Sequence, residues 1–193
     1  MLKSIVAGLL ALSVTSLSYG HDGSRADGRE TGERGDHPAL KVFDAQGKSV
    51  GPLLAEGSAA GVVLDVNGAT ILVPIRRVSD SGSQITASQY KWSGKFSDDI
   101  SFYSSTDCSG PPLIIGDITE TLRPSVVVRQ GVDATVYIAP DTYSTNITAL
   151  TYRAGSPAQC YPRVAPSVSE KGWSPESAYS LTQNYPEPLT IHD

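Results

Sequence analysis

Histidine is almost missing from the part of the chain that patterns as folded: the three present are His21, His37 and His192, all in segments read below as tails. A Ser-His-Asp triad or a histidine metal cluster in the body is thereby excluded on inventory. Cysteine is equally scarce. Cys108 and Cys160 are the only two, and with no histidine near them they do not make a zinc site. No D-x-D-x-D-G run is present to form a calcium loop, and no motif implies a cofactor. No apolar run reaches the ~20 residues that a membrane span needs. The 3.6-residue apolar period of a helix is not sustained anywhere over a useful length. Basic residues are outnumbered, 15 against 20 acidic, which argues against nucleic acid or an anionic membrane as a partner.

What the chain does have is Val, Thr, Ser, Gly and Pro in the balance of a β protein with many turns. The clearest stretch is Gly61–Ile75, GVVLDVNGATILVPI, two apolar runs joined by Asn67-Gly68. A two-residue Asn-Gly loop favours a type I′ hairpin because that turn needs φ > 0 at both central positions. Pairing outward sets Val66 against Ala69, Leu64 against Ile71 and Val62 against Val73, all on one face by the period of 2. The other face carries Asp65 opposite Thr70, then Val63 opposite Leu72. A second face that is partly apolar implies two packed layers, so the fold class expected is all-β: antiparallel hairpins in a small sandwich or barrel.

Met1–Gly20 reads as a secretory signal peptide, with Lys3, the apolar run Ile5–Val14, and Ser18-Tyr19-Gly20 as a cleavage site. Its removal leaves one basic residue fewer and no acid fewer, a net charge of −6 rather than −5. His21–Pro38 is charged, glycine-containing and free of large apolar residues, so a disordered leader is expected over 21–38. Within it Arg34-Gly35-Asp36 resembles integrin-binding adhesion motifs, a tripeptide frequent by chance. Residues 39–165 form the expected β-rich domain. LKVFD-AQG-KSVGPL predicts a hairpin with Gly47 in the left-handed position, Asp44 against Lys48 and Val42 against Val50. Pro74 is expected to end a strand or mark an edge. Further strands are expected at Ser88–Trp92, Ile100–Tyr103, Leu113–Ile115, Val126–Arg129, Ala134–Ala139 and Thr148–Arg153. Pro162, Pro166, Pro175, Pro186 and Pro188 crowd the end, and an irregular Pro-rich tail is expected over 166–193.

Three groups of these residues resemble a pattern found in uncharacterised exported bacterial β-rich proteins. The first is V-x-D-x-x-G-x-x-V-G-x-L, here Val42-Phe43-Asp44-Ala45-Gln46-Gly47-Lys48-Ser49-Val50-Gly51-Pro52-Leu53. The second is an N-G hairpin ending in L-x-P, here Val66-Asn67-Gly68 and Leu72-Val73-Pro74. The third is an aromatic strand running into D-C-S-G, here Phe102–Gly110. The resemblance covers about 40–115. It implies an exported β module, sometimes set behind fibre-like segments, and carries no catalytic residue to transfer.

Two sites remain as candidates. Tyr90 and Trp92, with Phe96 and interleaved Lys91 and Lys95, form the densest aromatic cluster. They serve either as a stacking platform for sugar rings or, as aromatics more often do, as core. Cys108 and Cys160 are expected to form a disulfide in an oxidising compartment; the alternative is two buried thiols too far apart to join. The carboxylates Asp65, Asp98, Asp99 and Asp107 are the remaining material for a calcium site or for acid–base hydrolysis, though Asp107 before Cys108 reads better as a turn residue. The function expected is therefore that of a secreted or periplasmic, non-enzymatic β module in envelope structure or adhesion. Its partner would be a glycan or another envelope protein, with no nucleic acid and no membrane span. Carbohydrate binding through Tyr90 and Trp92 is the alternative, and a carboxylate-dependent hydrolase the weaker one.

Overall fold

Asn67 and Gly68 both take positive φ, 52° and 82°, and the hairpin they close has the register that turn chemistry predicts. Val66 pairs with Ala69, Asp65 with Thr70, Leu64 with Ile71, Val63 with Leu72 and Val62 with Val73. The computed structural model describes residues 39–56, 59–80, 84–94, 100–115, 122–155, 157–163 and 169–193. The signal and leader readings over 1–38, and Lys95, Phe96, Asp98 and Asp99, lie outside the described residues.

In chain order the strands are β1 (Lys41–Phe43), β2 (Ser49–Glu56), β3 (Ala59–Val66), β4 (Ala69–Ser79), β5 (Ile85–Trp92), β6 (Ser101–Tyr103), β7 (Ile114–Ile115) and β8 (Ser125–Gln130). They continue with β9 (Asp133–Ile138), β10 (Thr145–Thr148), β11 (Thr151–Ala154), β12 (Gln159–Pro162), β13 (Ser169–Trp173) and β14 (Ser177–Ser180). A single helical turn, α1 (Leu181–Asn184), precedes β15 (Thr190–His192). The protein is all-β. Six strands form one antiparallel sheet in the order β15-β1-β2-β3-β4-β5. A bridge between Tyr90 of β5 and Leu189, just ahead of β15, brings the two ends of that sheet together into a nearly closed barrel. Three three-stranded sheets follow, β14-β9-β8, β12-β11-β6 and β10-β13-β7.

One apolar cluster fills the interior. Val62, Leu64, Val66, Ala69, Ile71, Val73 and Ile75 contribute one face of the hairpin, and Val127, Ala134, Val136 and Ile138 come from β8 and β9. The second layer thus covers the apolar face. The other face looks outward, with Asp65, Thr70 and Leu72 exposed, so its two apolar residues are not what the second layer packs on. Each fully buried aliphatic side chain is worth roughly 1.5–3 kcal/mol.

Local departures have local causes. In the first hairpin Val42 pairs with Gly51 rather than Val50, because a β-bulge between Val42 and Phe43 shifts the register. The turn itself is held by Asp44, 4% exposed, whose Oδ1 accepts the backbone N–H of Gln46 and of Lys48. Pro74 does not end β4. Its carbonyl accepts the Ser93 N–H, past the end of β5. A residue's N–H and C=O point to the same neighbour in antiparallel strands, so the missing donor also falls beyond the last pair. The expected strand Thr148–Arg153 divides at Ala149-Leu150, and its halves, β10 and β11, join different sheets.

Residues 169–193 are not an irregular tail. β13 pairs with β10 and β7, β14 with β9, and β15 with β1. Leu181 and Leu189 are fully buried in the main cluster. Leu181 has only Tyr179 and Leu189 only Ile191 as an apolar neighbour two positions away, so no extended run or period announces them.

Close approach makes Gly51 more demanding than Gly61. A Cβ at Gly51 would sit 2.5 Å from the carbonyl oxygen of Val63, which is backbone and cannot turn away. At Gly61 its nearest neighbour is Leu72 Cδ1 at 2.7 Å, the far end of an exposed side chain that can turn away, and the nearest backbone atom, the Val73 carbonyl oxygen, is 3.1 Å off. Gly51→Ala is therefore expected to cost about 1–3 kcal/mol, the range for overpacking, and Gly61→Ala clearly less. Paired urea denaturation curves check the order, and equal losses would count against it.

Candidate ligand-binding face

Tyr90 and Trp92 do share one side of β5, but it is the inner one. Trp92 pairs with Ile75 and is 0% exposed. Its indole N–H donates to the Tyr185 carbonyl at 3.1 Å, and its backbone N–H to Glu187 Oε1 at 2.6 Å. The Tyr90 ring is half-buried against the core with the Arg77 guanidinium 5.4 Å from its centroid. A sugar platform built on Tyr90 and Trp92 is thus corrected: aromatic rings alternate with Lys91 because one face of the strand is core.

Glu187 holds this junction. Its carboxylate accepts two guanidinium bonds from Arg129 of β8, at 2.6 and 3.1 Å, and Arg129 also donates to the Trp92 carbonyl at 3.1 Å. The clamp joins β5, β8 and the segment before β15.

A different set of aromatics stands on an outer face. The register of β12-β11-β6 puts Tyr161 opposite Tyr152 and Tyr152 opposite Phe102. Directly opposed residues share one face of a sheet, and the rings meet there: Tyr152 and Tyr161 stack at 5.4 Å and 26°, Phe102 and Tyr152 lie at 6.4 Å and 49°. Under β6 and β11 the reverse face is interior, since Ser101, Tyr103 and Thr151 are buried. Phe102 and Tyr152 are half-buried, and Tyr161 on the edge strand is 39% exposed.

Polar groups flank the row. Residues at i and i+2 share a face, so Gln159, Tyr161 and Arg163 project together from β12 and the residue after it. The Tyr161 hydroxyl donates to Gln159 Oε1 at 3.2 Å. The Arg163 guanidinium lies 5.1 Å from the Phe102 centroid and donates from both terminal nitrogens to Glu170 Oε1 at 3.0 Å.

The disulfide anchors this sheet. Cys108 and Cys160 are joined, with Cα atoms 5.9 Å apart, so the residue next to Tyr161 is tied to the turn after β6. Cys108 has φ of 57°, a left-handed conformation uncommon for a side-chain-bearing residue. Around it Asp107 Oδ1 accepts the Ser109 N–H at 3.1 Å, Ser105 Oγ donates to the Ser109 carbonyl, and Arg153 donates to the Cys108 carbonyl. Hydrogen bonds from the Ser109 hydroxyl and backbone hold the Asp107 carboxyl below the usual carboxylate value. Asp107 is a turn residue here. Asp65 likewise accepts a bond from its hairpin partner Thr70 at 2.5 Å.

Among the described residues no group of three or more His, Cys, Asp or Glu is placed to hold a metal ion. No helix among them is long and apolar enough to cross a membrane. The cleft lined by Ile100, Phe102, Leu113, Ile115 and Val126 has about 10 Å³, at the lower limit for one water molecule. What this part of the surface offers is a row of rings on a braced sheet.

No protein-family model, no curated protein and no solved structure matches the chain. Phe102, Tyr152 and Tyr161 escaped sequence reasoning because they belong to three separate strands. The disulfide was the available signal: joining Cys160 to Cys108 draws the strand of Tyr161 toward that of Phe102.

Proposed function

We propose that the protein is an exported, non-enzymatic β module with an adhesive or envelope-associated role, attaching through the Phe102-Tyr152-Tyr161 row. The observation that carries this reading is the row itself, three opposed rings on an outward sheet face. Aromatic side chains supply large, rigid contact area at low entropic cost. The disulfide at Cys160 supports it by bracing the edge strand, and fits an oxidising compartment, secreted or periplasmic. The resemblance to exported bacterial β-rich proteins over about 40–115 points to the same compartment.

Sedimentation of the purified protein with isolated cell-envelope material tests the reading. The protein is expected in the pellet, and the Tyr152→Ala/Tyr161→Ala double variant in the supernatant. Equal sedimentation of the two would overturn the role of the row. Turnover of a glycan or ester substrate, lost on changing Asp65 or Asp107, would overturn the non-enzymatic reading.

A further inference from the structure

We infer that the Tyr161 end of the row is a carbohydrate subsite, taking a neutral pyranose ring with its C–H face against Tyr161 and its hydroxyls toward Gln159. The inference rests on the binding reading above and names its ligand class. Tyr152 already stacks on the Tyr161 ring at 5.4 Å, while β12 is the outermost strand of its sheet and Tyr161 stays 39% exposed. The ring is therefore held in orientation by its neighbour while it remains open to solvent.

Flanking chemistry selects the ligand. Residues two apart on a strand project about 7 Å from one another, so a ring seated on Tyr161 has the Gln159 amide beside it. The Tyr161 hydroxyl already donates to Gln159 Oε1, so the donor that this exposed side chain can offer a ligand is its –NH₂. Sugar hydroxyls accept and donate, and an amide next to an aromatic face matches that pattern. Arg163, the cation on this face, is committed to Glu170 through both terminal nitrogens and to the Phe102 ring. With the acidic balance of the chain, 20 against 15, it gives a polyanion little to bind. An added peptide strand is disfavoured as well, because β12 ends in Pro162, which has no N–H to offer along that edge. A neutral glycan is what remains.

The test is an NMR titration of the ¹⁵N-labelled, disulfide-intact protein with β-1,4-linked glucose and N-acetylglucosamine oligomers. Saturable shifts are expected at Gln159 and Tyr161. Tyr161→Ala is expected to weaken binding about tenfold, the loss of one aromatic stacking contact. Tyr161→Phe keeps the ring and should bind nearly as the parent does, and Gln159→Ala should fall between. Because the Tyr161 side chain is partly exposed, the melting temperature of each variant should stay close to the parent, which separates lost binding from lost fold. Absence of shifts on β12 with these oligomers, or equal binding by Tyr161→Ala, overturns the inference. So does binding confined to anionic glycans with a steep salt dependence. If the oligomers fail while envelope sedimentation still depends on Tyr152 and Tyr161, the ligand class falls and the attachment role stands. If both fail, the attachment role falls too.

Discussion

Replacing Cys108 and Cys160 with serine is expected to lower stability by about 4 kcal/mol and the melting temperature by about 10 °C. The bond closes a loop with a sequence separation of 52, long enough for its removal to release considerable entropy in the unfolded chain. The native state depends on it too. β12 is an edge strand whose four residues are all exposed, and its strand neighbour on the inner side is β11. Without the disulfide the strand keeps its backbone ladder to β11 but loses its tie to the Cys108 turn. Glycan or envelope binding should then weaken more than global stability does, because Tyr161 is carried on that strand. Denaturant curves of the serine variant beside the reduced and oxidised parent give the measurement. A difference below about 1 kcal/mol, the size of a single ordinary hydrogen bond, would mean that β12 is secured chiefly by its ladder to β11.

Glu187→Ala should be nearly as damaging, at about 3 kcal/mol. Removing one member of a largely buried ion pair costs about 3–5 kcal/mol because the other charge is left without a partner. The low end applies because the Arg129 and Glu187 side chains retain 14% and 19% of their exposure, and solvent screens part of the loss. Three donor bonds are lost together, two from the Arg129 guanidinium and one from the Trp92 backbone N–H, and Arg129 keeps only its bond to the Trp92 carbonyl. Glu187→Gln retains an acceptor for the Trp92 N–H and should cost less. The Arg129→Ala/Glu187→Ala double variant should lose less than the two single losses added, since the clamp is broken only once. Additive losses in thermal or chemical denaturation would show that the two residues act independently.

The parts of this fold that were legible in advance are those governed by neighbours along the chain. Asn67-Gly68 sets the register of β3 and β4 because a type I′ turn leaves no freedom in which residues face each other. Between β8 and β9 the sequence marks only a hairpin connection over Gln130-Gly131-Val132-Asp133; the structure narrows it to the two-residue turn Gly131-Val132, with Gly131 at φ of 65° and Gln130 paired to Asp133. Period-2 alternation then identifies the inner face: Val62, Leu64 and Val66 are buried, and Asp65 is exposed. Pairing of the two cysteines was an expectation from their number and from the exported reading of Met1–Gly20, and Cys108 and Cys160 are joined.

What escaped is what depends on distant partners. Residues 169–193 read as irregular because their buried residues are sparse, and they are ordered by strands more than 20 residues earlier, as β10 orders β13, β9 orders β14 and β1 orders β15. The aromatic content of β5 was visible, and even the shared side of Tyr90 and Trp92 was correct. Whether that side met solvent or core was not encoded in the alternation, because closure of the barrel through Leu189 decides it. Apart from the two cysteines that draw β12 toward β6, the Phe102-Tyr152-Tyr161 row has no sequence signature.

By itself, then, the sequence determined that this is an all-β chain with the Asn67-Gly68 hairpin in its right register, since turn geometry and side-chain alternation act over a few residues. The tertiary structure alone decided which aromatics are interior and which are presented. Trp92 is sealed in by Glu187 and Tyr185, and Tyr161 is set on an exposed edge by Tyr152 and the disulfide. Trp92 lies 93 and 95 positions from Tyr185 and Glu187, and Cys160 lies 52 from Cys108, so long-range pairing of strands brings these together, while the Tyr152–Tyr161 stack is local to β11 and β12.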